Sequence, residues 1–187
     1  MSGGHGGPDH AGSNKAVALA ISILALFLAV AEILGQKAQT STLQYNIEAS
    51  NLWAFFQAKT IRKTIMETAA EDMETALAGV KEAAVQKAMG ERVAKWKSRA
   101  ATYESEPGKD GKPGEGRKEL MEQAKAAEVL RDKAGKKHYR FELASGAFQI
   151  AIVLASASII TAFTALLWAA GGLGALGGIF LLSGLLG

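Results

Sequence analysis

The chain has 187 residues, of which 49% are hydrophobic, and the apolar residues are concentrated in two blocks on either side of a highly charged middle. This distribution excludes a soluble globular domain, because spans of about 20 apolar residues match the hydrocarbon core of a bilayer. The absence of cysteine excludes disulfides, thiolate chemistry and cysteine-bound metal. We therefore expect an all-α integral membrane protein with three transmembrane helices, the third of them short.

The first segment, residues 1–14, reads MSGGHGGPDHAGSN and offers little apolar surface to offset the entropy lost on ordering. We predict a disordered tail there. His5, Asp9 and His10 could contact a metal ion, but two imidazoles and one carboxylate on a flexible tail make a weak site. The sequence therefore predicts no metal site in this segment.

The first apolar block predicts a transmembrane helix over residues 15–36, in which Glu32 is the only charged residue between Ala16 and Leu34. Small residues recur at three- and four-residue steps on one face of this helix, and the next step reaches Glu32. These small residues are Ala18, Ser22, Ala25 and Ala29. Because small residues let helix backbones approach closely in a membrane, we expect this face and its carboxylate to point toward a neighbouring helix.

The charged middle, residues 37–142, carries 20 of the 21 Lys and Arg residues, all between Lys37 and Arg140. Since basic residues next to membrane spans favour the cytoplasmic side, we predict a cytoplasmic helical domain here, with the N-terminus outside. A flexible loop rich in glycine and proline is predicted over residues 105–116. One straight helix before this loop would be too long for the chain to return to the membrane, so we expect a break near Gly79 or Gly90.

Apolar stripes at helical spacing indicate how the helices of this domain pack. The first stripe consists of Leu43, Ile47, Ala54, Ile61 and Ile65. The second consists of Val85, Met89, Val93, Trp96, Ala100 and Tyr103. A separate cluster surrounds its helix with apolar groups and contains Leu52, Trp53, Phe55 and Phe56. This cluster is either the core of the cytoplasmic bundle or a contact with another subunit or protein, since interfaces are enriched in aromatic anchors.

The last apolar block is long enough for two transmembrane helices, which we predict over residues 143–170 and 171–187. Trp168 is expected at the membrane surface, and Gly171 and Gly172 at a tight turn that follows it. The residues that remain form a short span, which we expect to pack against the second as a hairpin. The candidate packing positions are Ala147, Ala151, Ala155, Gly174 and Gly178.

Glu32 lies a few residues before the charged middle, so we place it near the cytoplasmic boundary rather than at the bilayer centre. Lys136, Lys137 and Arg140 precede the second span at the same level, and we predict that one of them forms an ion pair with Glu32. Such a pair would fix the register of the first two spans. The alternative is that Glu32 binds a proton or a cation, the role to suspect for an acid inside a membrane.

The polar residues offer no recognisable catalytic arrangement. The sequence contains no nucleophile beside a base, no histidine pair at ligand spacing on a helix, and no phosphate-binding or dinucleotide-binding loop. Acidic residues are interspersed among the basic ones, which argues against a nucleic-acid surface. We therefore predict no catalytic residue, no cofactor and no nucleic-acid partner.

The first span and the residues that follow it carry a resemblance to a known family. The most specific positions are Asn46, Ala49, Ser50, Asn51, Trp53, Phe56, Gln57, Lys59, Arg62 and Lys63. With the charged middle and the C-terminal apolar pair, the chain from Asn14 to its end resembles the bacterial family catalogued as domain of unknown function 4337. The resemblance implies an inner-membrane location and three spans, and it implies no catalytic residue.

These observations favour a non-enzymatic membrane protein that acts as a homo-oligomeric scaffold or as an accessory subunit of a membrane complex. Its expected partners are the lipid bilayer and either further copies of this chain or other membrane subunits. The alternative is a small oligomeric transporter or ion-conducting protein that uses Glu32.

Overall fold

The computed structural model describes residues 9–187, with side chains from Lys15 onward. This part of the chain folds into four helices and contains no strand: α1 is Asp9–Leu77, α2 is Ala83–Glu104, α3 is Arg117–Thr161 and α4 is Thr164–Leu186. The expected all-α class is confirmed. The tail predicted over residues 1–14 is replaced by helix from Asp9 onward, while residues 1–8 and the side chains of Asp9 and His10 lie outside the described part.

The described chain divides into two compact units. One, the span unit, consists of the residues up to Thr42 together with Asp132–Gly187, and the other, the charged unit, is Leu43–Arg131. The charged unit is shorter at both ends than the domain predicted over residues 37–142. The reason lies in the span unit, where Ala38 and Phe141 belong to one apolar core.

Three of the helices, α1, α3 and α4, are long and apolar enough to cross a membrane. The predicted boundary between the second and third spans is wrong. The break falls after Thr161, where Ala162 adopts a left-handed φ of 52°, the backbone conformation that commonly ends a helix. Gly171 and Gly172 lie inside α4, because in apolar surroundings every backbone group must find its partner within the helix.

The third span is therefore not short. Helix α4 has 23 residues, which at 1.5 Å per residue gives a length of about 34 Å, enough for the hydrocarbon core of a bilayer. Trp168, predicted to close the second span, lies in the second turn of α4 and is 83% exposed.

The core of the span unit follows a seven-residue repeat on each of its three helices. Every seventh residue points inward, as in left-handed helix bundles. On α1 these residues are Val17, Leu24, Ala31 and Ala38; on α3 they are Ala134, Phe141, Phe148 and Ala155; on α4 they are Ala170, Gly177 and Gly184. The large rings on α3 thus face the smallest residues on α4.

Glycine at two positions of α4 makes this contact possible. A Cβ atom on Gly177 would lie 2.8 Å from the Phe148 ring, and one on Gly184 would lie 2.6 Å from the Phe141 ring. No side chain larger than hydrogen fits at such distances without a shift of the ring. Without a hydrophobic force between helices in lipid, close packing of this kind drives their association.

The predicted packing positions have mixed outcomes. Ala151 and Ala155 are buried and Ala147 is half-buried, as expected for packing positions of α3. A Cβ atom on Gly174 would lie 2.9 Å from Leu24, whereas Gly178 has open space around its Cα. The four small residues predicted as a packing face of the first span do not pack within the chain.

The predicted packing face of the first span is therefore wrong. Ala18, Ser22, Ala25 and Ala29 are all exposed, because α1 packs through the neighbouring face that contains Val17 and Ala31. That buried face combines large residues such as Leu24 with small ones such as Ala31, and such a mixture fills the space between helices better than a row of small residues.

The charged unit contains the rest of α1, all of α2 and the first part of α3. The chain turns at Gly79, one of the two predicted break points, and Gly90 lies within α2. The loop between α2 and α3 covers residues 105–116, as predicted. The buried apolar side chains of this unit are Ala49, Ala70, Val93, Ala100, Leu120, Ala124 and Ala127.

The first predicted stripe does not contribute to this core. Its four large residues, Leu43, Ile47, Ile61 and Ile65, are between 56% and 60% exposed. Helix α1 packs instead through the opposite face, which contains Ala49 and Ala70. In the second stripe, Val93 and Ala100 are buried and Val85 is exposed, while Met89, Trp96 and Tyr103 are half-buried.

Candidate functional site

A polar groove lies between α1 and α3 in the span unit and has a volume of about 300 Å³. Its polar lining residues, which define the groove below, are Glu32, Gln36, Gln39, His138, Glu142 and Ser145. Two carboxylates, one imidazole, two amides and one hydroxyl thus share one concave surface.

Glu32 lies at one side of the polar groove and contacts an amide rather than a cation. Its Oε1 atom accepts a hydrogen bond of 3.3 Å from Nε2 of Gln149, which also donates to Ser145 at 3.4 Å. Among the ion pairs of the described residues, none involves Glu32. The structure therefore does not bring Lys136, Lys137 or Arg140 together with Glu32, contrary to the prediction.

Arg140 contacts the end of α4 instead. Its Nη1 atom donates a hydrogen bond of 2.7 Å to the carbonyl oxygen of Ser183, in the last turn of α4. Carbonyl groups at the end of a helix carry partial negative charge, and the Ser183 carbonyl also accepts a hydrogen bond of 3.3 Å from the backbone N–H of Gly187. Because α4 is a full span rather than a short one, its end reaches the level of Arg140, and the guanidinium group stabilises it there.

His138 is oriented by the backbone of α1. Its Nδ1 atom lies 3.1 Å from the carbonyl oxygen of Gly35, and since a carbonyl only accepts hydrogen bonds, Nδ1 carries the proton in this contact. The other ring nitrogen, Nε2, lies 3.9 Å from Oε2 of Glu142. Gly35 is buried, and a Cβ there would meet Phe141 at 3.5 Å, so the two helices approach closely at this point.

These groups can exchange hydrogen bonds with a ligand or contact a cation. The described residues include no group of three or more His, Asp or Glu side chains arranged to hold a metal ion. The sequence held a signal for this groove, because His138, Glu142, Ser145 and Gln149 follow each other at helical steps of four, three and four residues. Sequence reasoning nevertheless missed this row, because it considered only the basic residues Lys136, Lys137 and Arg140 at this level.

The predicted aromatic cluster in the charged unit is divided between core and surface. Trp53 is half-buried, and its Nε1 atom donates a hydrogen bond of 2.9 Å to Glu128 on α3. The Phe56 ring meets the Trp53 ring edge to face, with centroids 5.4 Å apart. Leu52 is also half-buried, but Phe55 is 62% exposed. Leu52, Trp53 and Phe56 are thus partly covered within the charged unit, whereas Phe55 is exposed.

Arg117, the first residue of α3, connects the three helices of the charged unit. Its guanidinium carbon lies 5.0 Å from the centre of the Phe56 ring, its Nε donates to Thr60 at 2.8 Å, and its Nη1 donates to Glu104 at 2.6 Å. Sequence reasoning missed this residue, because nothing in its neighbourhood along the chain indicates partners on α1 and α2.

Glu104 also forms an ion pair with Lys63 of α1. Nζ of Lys63 lies 2.9 Å from the same carboxylate oxygen that Arg117 contacts. The hydrogen bond from Lys63, followed by that from Arg117, lowers the pKa of Glu104 below its ordinary value of 4.5. The same hydrogen bond raises the pKa of Lys63 above its ordinary value of 10.5. These shifts favour the ionised forms of both groups, so the cluster is structural in character.

Glu119, in the first turn of α3, holds the start of the loop over residues 105–116. Ser105 donates a hydrogen bond of 2.5 Å to Oε1 of Glu119, and the backbone N–H of Glu106 donates to Oε2 at 3.2 Å. The hydrogen bond from Ser105 lowers the pKa of Glu119. A Cβ atom on Gly116 would lie 2.3 Å from the nitrogen of Glu106, so only glycine lets the loop close in this way.

Comparison with known proteins gives one positive result. No curated protein and no solved structure matches the chain. A family model matches residues 13–187, which is nearly the whole chain. The chain therefore belongs to the family described as Domain of unknown function (DUF4337).

Proposed function

We propose that this protein is a non-enzymatic protein of the bacterial inner membrane, which acts as a homo-oligomeric scaffold or as an accessory subunit of a membrane complex. One observation carries the proposal. The small residues of the first span, Ala18, Ser22, Ala25 and Ala29, are exposed within a single chain. Small residues are the ones through which membrane helices associate, so a second helix from outside the chain fits this face.

The charge distribution supports an orientation with the charged unit in the cytoplasm and the N-terminus outside. Lys133, Lys136, Lys137 and Arg140 lie close to the start of the second span, whereas Lys15 is the one basic residue before the first. Basic residues near membrane spans favour the cytoplasmic side. Exposed polar surface on this unit would then be available to cytoplasmic proteins.

The roles of the polar clusters favour a non-enzymatic protein. Arg117, Glu104 and Glu119 join helices or close a loop through hydrogen bonds to other protein groups. A catalytic acid or base needs a pKa near the working pH, whereas the pKa of Glu104 and that of Glu119 are lowered further from neutrality.

The proposal can be tested with two differently tagged copies expressed together at native level. After extraction with their surrounding lipid, purification through one tag should recover the other tag in comparable amount if the protein is a homo-oligomer. If instead the first tag brings down another membrane protein in fixed ratio, the chain is an accessory subunit. Recovery of a single copy with no partner would contradict both forms of the proposal.

The polar groove favours a second candidate function, conduction of protons or cations through an oligomer. Glu32 is exposed within one chain and lies beside Glu142 and His138, so copies that meet at the first span could line a path with these groups. In reconstituted vesicles, Glu32→Gln should abolish proton or cation flux, while Glu48→Gln, which changes an exposed acid outside the groove, should leave it unchanged. Equal flux for Glu32→Gln and the parent protein would reject this candidate.

A further inference from the structure

An aliphatic stripe lies exposed on α1 within the charged unit. It consists of Leu43, Ile47, Ala54, Ile61 and Ile65, and the four large side chains are between 56% and 60% exposed. At 3.6 residues per turn these positions fall on one narrow line along the helix. The line lies opposite the face through which α1 packs on the rest of the unit, where Ala49 and Ala70 are buried.

An exposed row of this kind is unusual in a unit that otherwise presents charged side chains. Single exposed apolar residues need no explanation, but apolar residues that line up on one helix face, with polar residues beside them, are typical of a helix that binds a partner through that face. The aliphatic stripe has such polar neighbours, since Gln44, Asn46, Ser50, Asn51, Gln57 and Thr64 are exposed beside it. These residues are polar and uncharged.

We propose that the aliphatic stripe docks on the same stripe of a second copy, with the two α1 helices parallel. The inference rests on the proposed function, because it names the surface through which copies of the chain meet. Two copies inserted in one bilayer have the same orientation, so a symmetric contact places each residue of the stripe against its own counterpart. Any charge on the stripe would then meet an identical charge and repel it.

No charged residue lies on the line of the stripe, so a parallel contact between two copies brings no like charges together. No residue between Glu48 and Lys59 is charged. Glu48 and Arg62, both exposed, are displaced from the line of the stripe by roughly a quarter to a third of a helical turn. A heterologous partner would not need an uncharged face, since it could supply opposite charges. The lack of charge therefore favours a second copy over a different protein.

The size of the stripe also fits copies that share a membrane. Residues 43–65 span about 34 Å of helix, and a strip of that length about 10 Å wide is smaller than the roughly 800 Å² that each partner of a soluble complex usually buries. Copies confined to one bilayer meet at high effective concentration, which lets a smaller contact suffice. Ala54, at the centre of the stripe, lets the two backbones approach.

The chain has no cysteine of its own, so single cysteines can report this contact directly. Ala54→Cys places a thiol at the centre of the stripe, and Glu48→Cys places one about a third of a turn away as a matched control on the same helix. A disulfide forms only when the two Cα atoms come within about 7 Å. Under mild oxidation in native membranes, Ala54→Cys should give at least about tenfold more covalent dimer than Glu48→Cys.

A second change tests whether the contact depends on like residues facing each other. Adding Ile47→Lys to Ala54→Cys should lower the yield of covalent dimer by about tenfold, because two identical charges would meet in the interface. Adding Glu48→Lys instead should leave the yield unchanged. Equal effects of the two lysines would overturn the inference.

The remaining outcomes separate the inference from the proposed function. If the tagged copies purify together but Ala54→Cys and Glu48→Cys form dimers equally, copies associate elsewhere, and the inference alone is overturned. A covalent adduct of Ala54→Cys with a different protein would also overturn it. If the tagged copies do not purify together and no covalent dimer forms, the inference and the homo-oligomeric form of the proposed function fail together.

Discussion

The span unit and the charged unit are both bundles of helices, but different contacts hold them together. In the span unit, aromatic rings of α3 lie against glycines of α4, as Phe148 does against Gly177. In the charged unit, Arg117 joins three helices through one ion pair, one hydrogen bond and one aromatic face. Shape complementarity replaces the hydrophobic effect where lipid is the solvent, whereas in the charged unit polar groups must find partners before they are buried.

The largest effect is expected when the aromatic ring is removed from the contact between α3 and α4 in the span unit. Phe148 is 1% exposed, and Phe148→Ala should reduce the free energy of unfolding of the span unit by about 3–5 kcal/mol, because it removes a buried ring and leaves a cavity. Ile150→Ala, which changes a residue that is 53% exposed, is the matched control and should cost less than about 1 kcal/mol. Reversible unfolding in mixed micelles measures both, and equal losses would contradict the packing described for this unit.

The next effect concerns the glycine side of the same contact. Gly177→Ala places a methyl group 2.8 Å from the Phe148 ring, whereas Gly178→Ala places one in open space. The first change should reduce the free energy of unfolding by about 1–3 kcal/mol through overpacking. The second should be neutral or slightly stabilising, because alanine favours the helix more than glycine does. A reversed order for these adjacent residues would show that α4 packs through another face.

A smaller effect is expected in the charged unit, where Arg117→Lys keeps the charge but removes the planar fork. Lysine cannot contact Thr60, Glu104 and the Phe56 ring together, so the free energy of unfolding of this unit should fall by about 1–2 kcal/mol. The matched control is Arg92→Lys, since Arg92 contacts the ring of Trp96 at 5.8 Å. Chemical denaturation followed by the fluorescence of Trp53 and Trp96 measures the loss, and the prediction fails if both variants lose the same amount.

The smallest effect is a pH dependence of the charged unit. The lowered pKa of Glu104 means that its stabilisation is complete above pH 4.5 and is lost as the pH falls through the lowered value. The raised pKa of Lys63 acts in the opposite sense, so its stabilisation is complete below pH 10.5 and is lost above that value. The free energy of unfolding of the charged unit should therefore be constant between these limits. Below pH 4.5 it should fall less in Glu104→Gln than in the parent protein.

Fluorescence separates the two units in this titration, because Trp168 is the only tryptophan of the span unit. Variants that keep either Trp168 or the pair Trp53 and Trp96 would show which unit responds to acid. A transition below pH 4.5 that Trp168 reports and the other two do not would contradict the assignment of the pH response to the charged unit.

The sequence predicted the features that depend on composition and on local backbone chemistry. Apolar length identified the spans, the glycines and prolines of residues 105–116 marked the loop, and Gly79 was one of the two glycines, with Gly90, at which the turn before α2 was expected. Gly171 and Gly172 misled the prediction because glycine ends helices far more readily in water than in an apolar environment. The left-handed Ala162, which ends α3, carries no signal in its residue type.

Side-chain partners between distant segments were the least predictable part. Arg140 and Glu32 were expected at the same depth, which suggested that they pair. The last turn of α4 lies beside Arg140 as well, and this could not be foreseen without the observed length of α4. The hydrogen bond between Glu32 and Gln149 joins residues 117 positions apart. Periodicity defines the faces of a helix, and it does not say which face meets another helix, as the exposed Ala18 and Leu43 illustrate.

The central claim is that this chain assembles through faces that a single copy leaves exposed. Native mass spectrometry of the protein, released from membranes with its surrounding lipid and diluted in steps, tests this claim most directly. We expect a fixed multiple of the 19.6 kDa chain, or the chain with another subunit in fixed ratio, that persists on dilution. A lone chain at every dilution and in every lipid would contradict the claim.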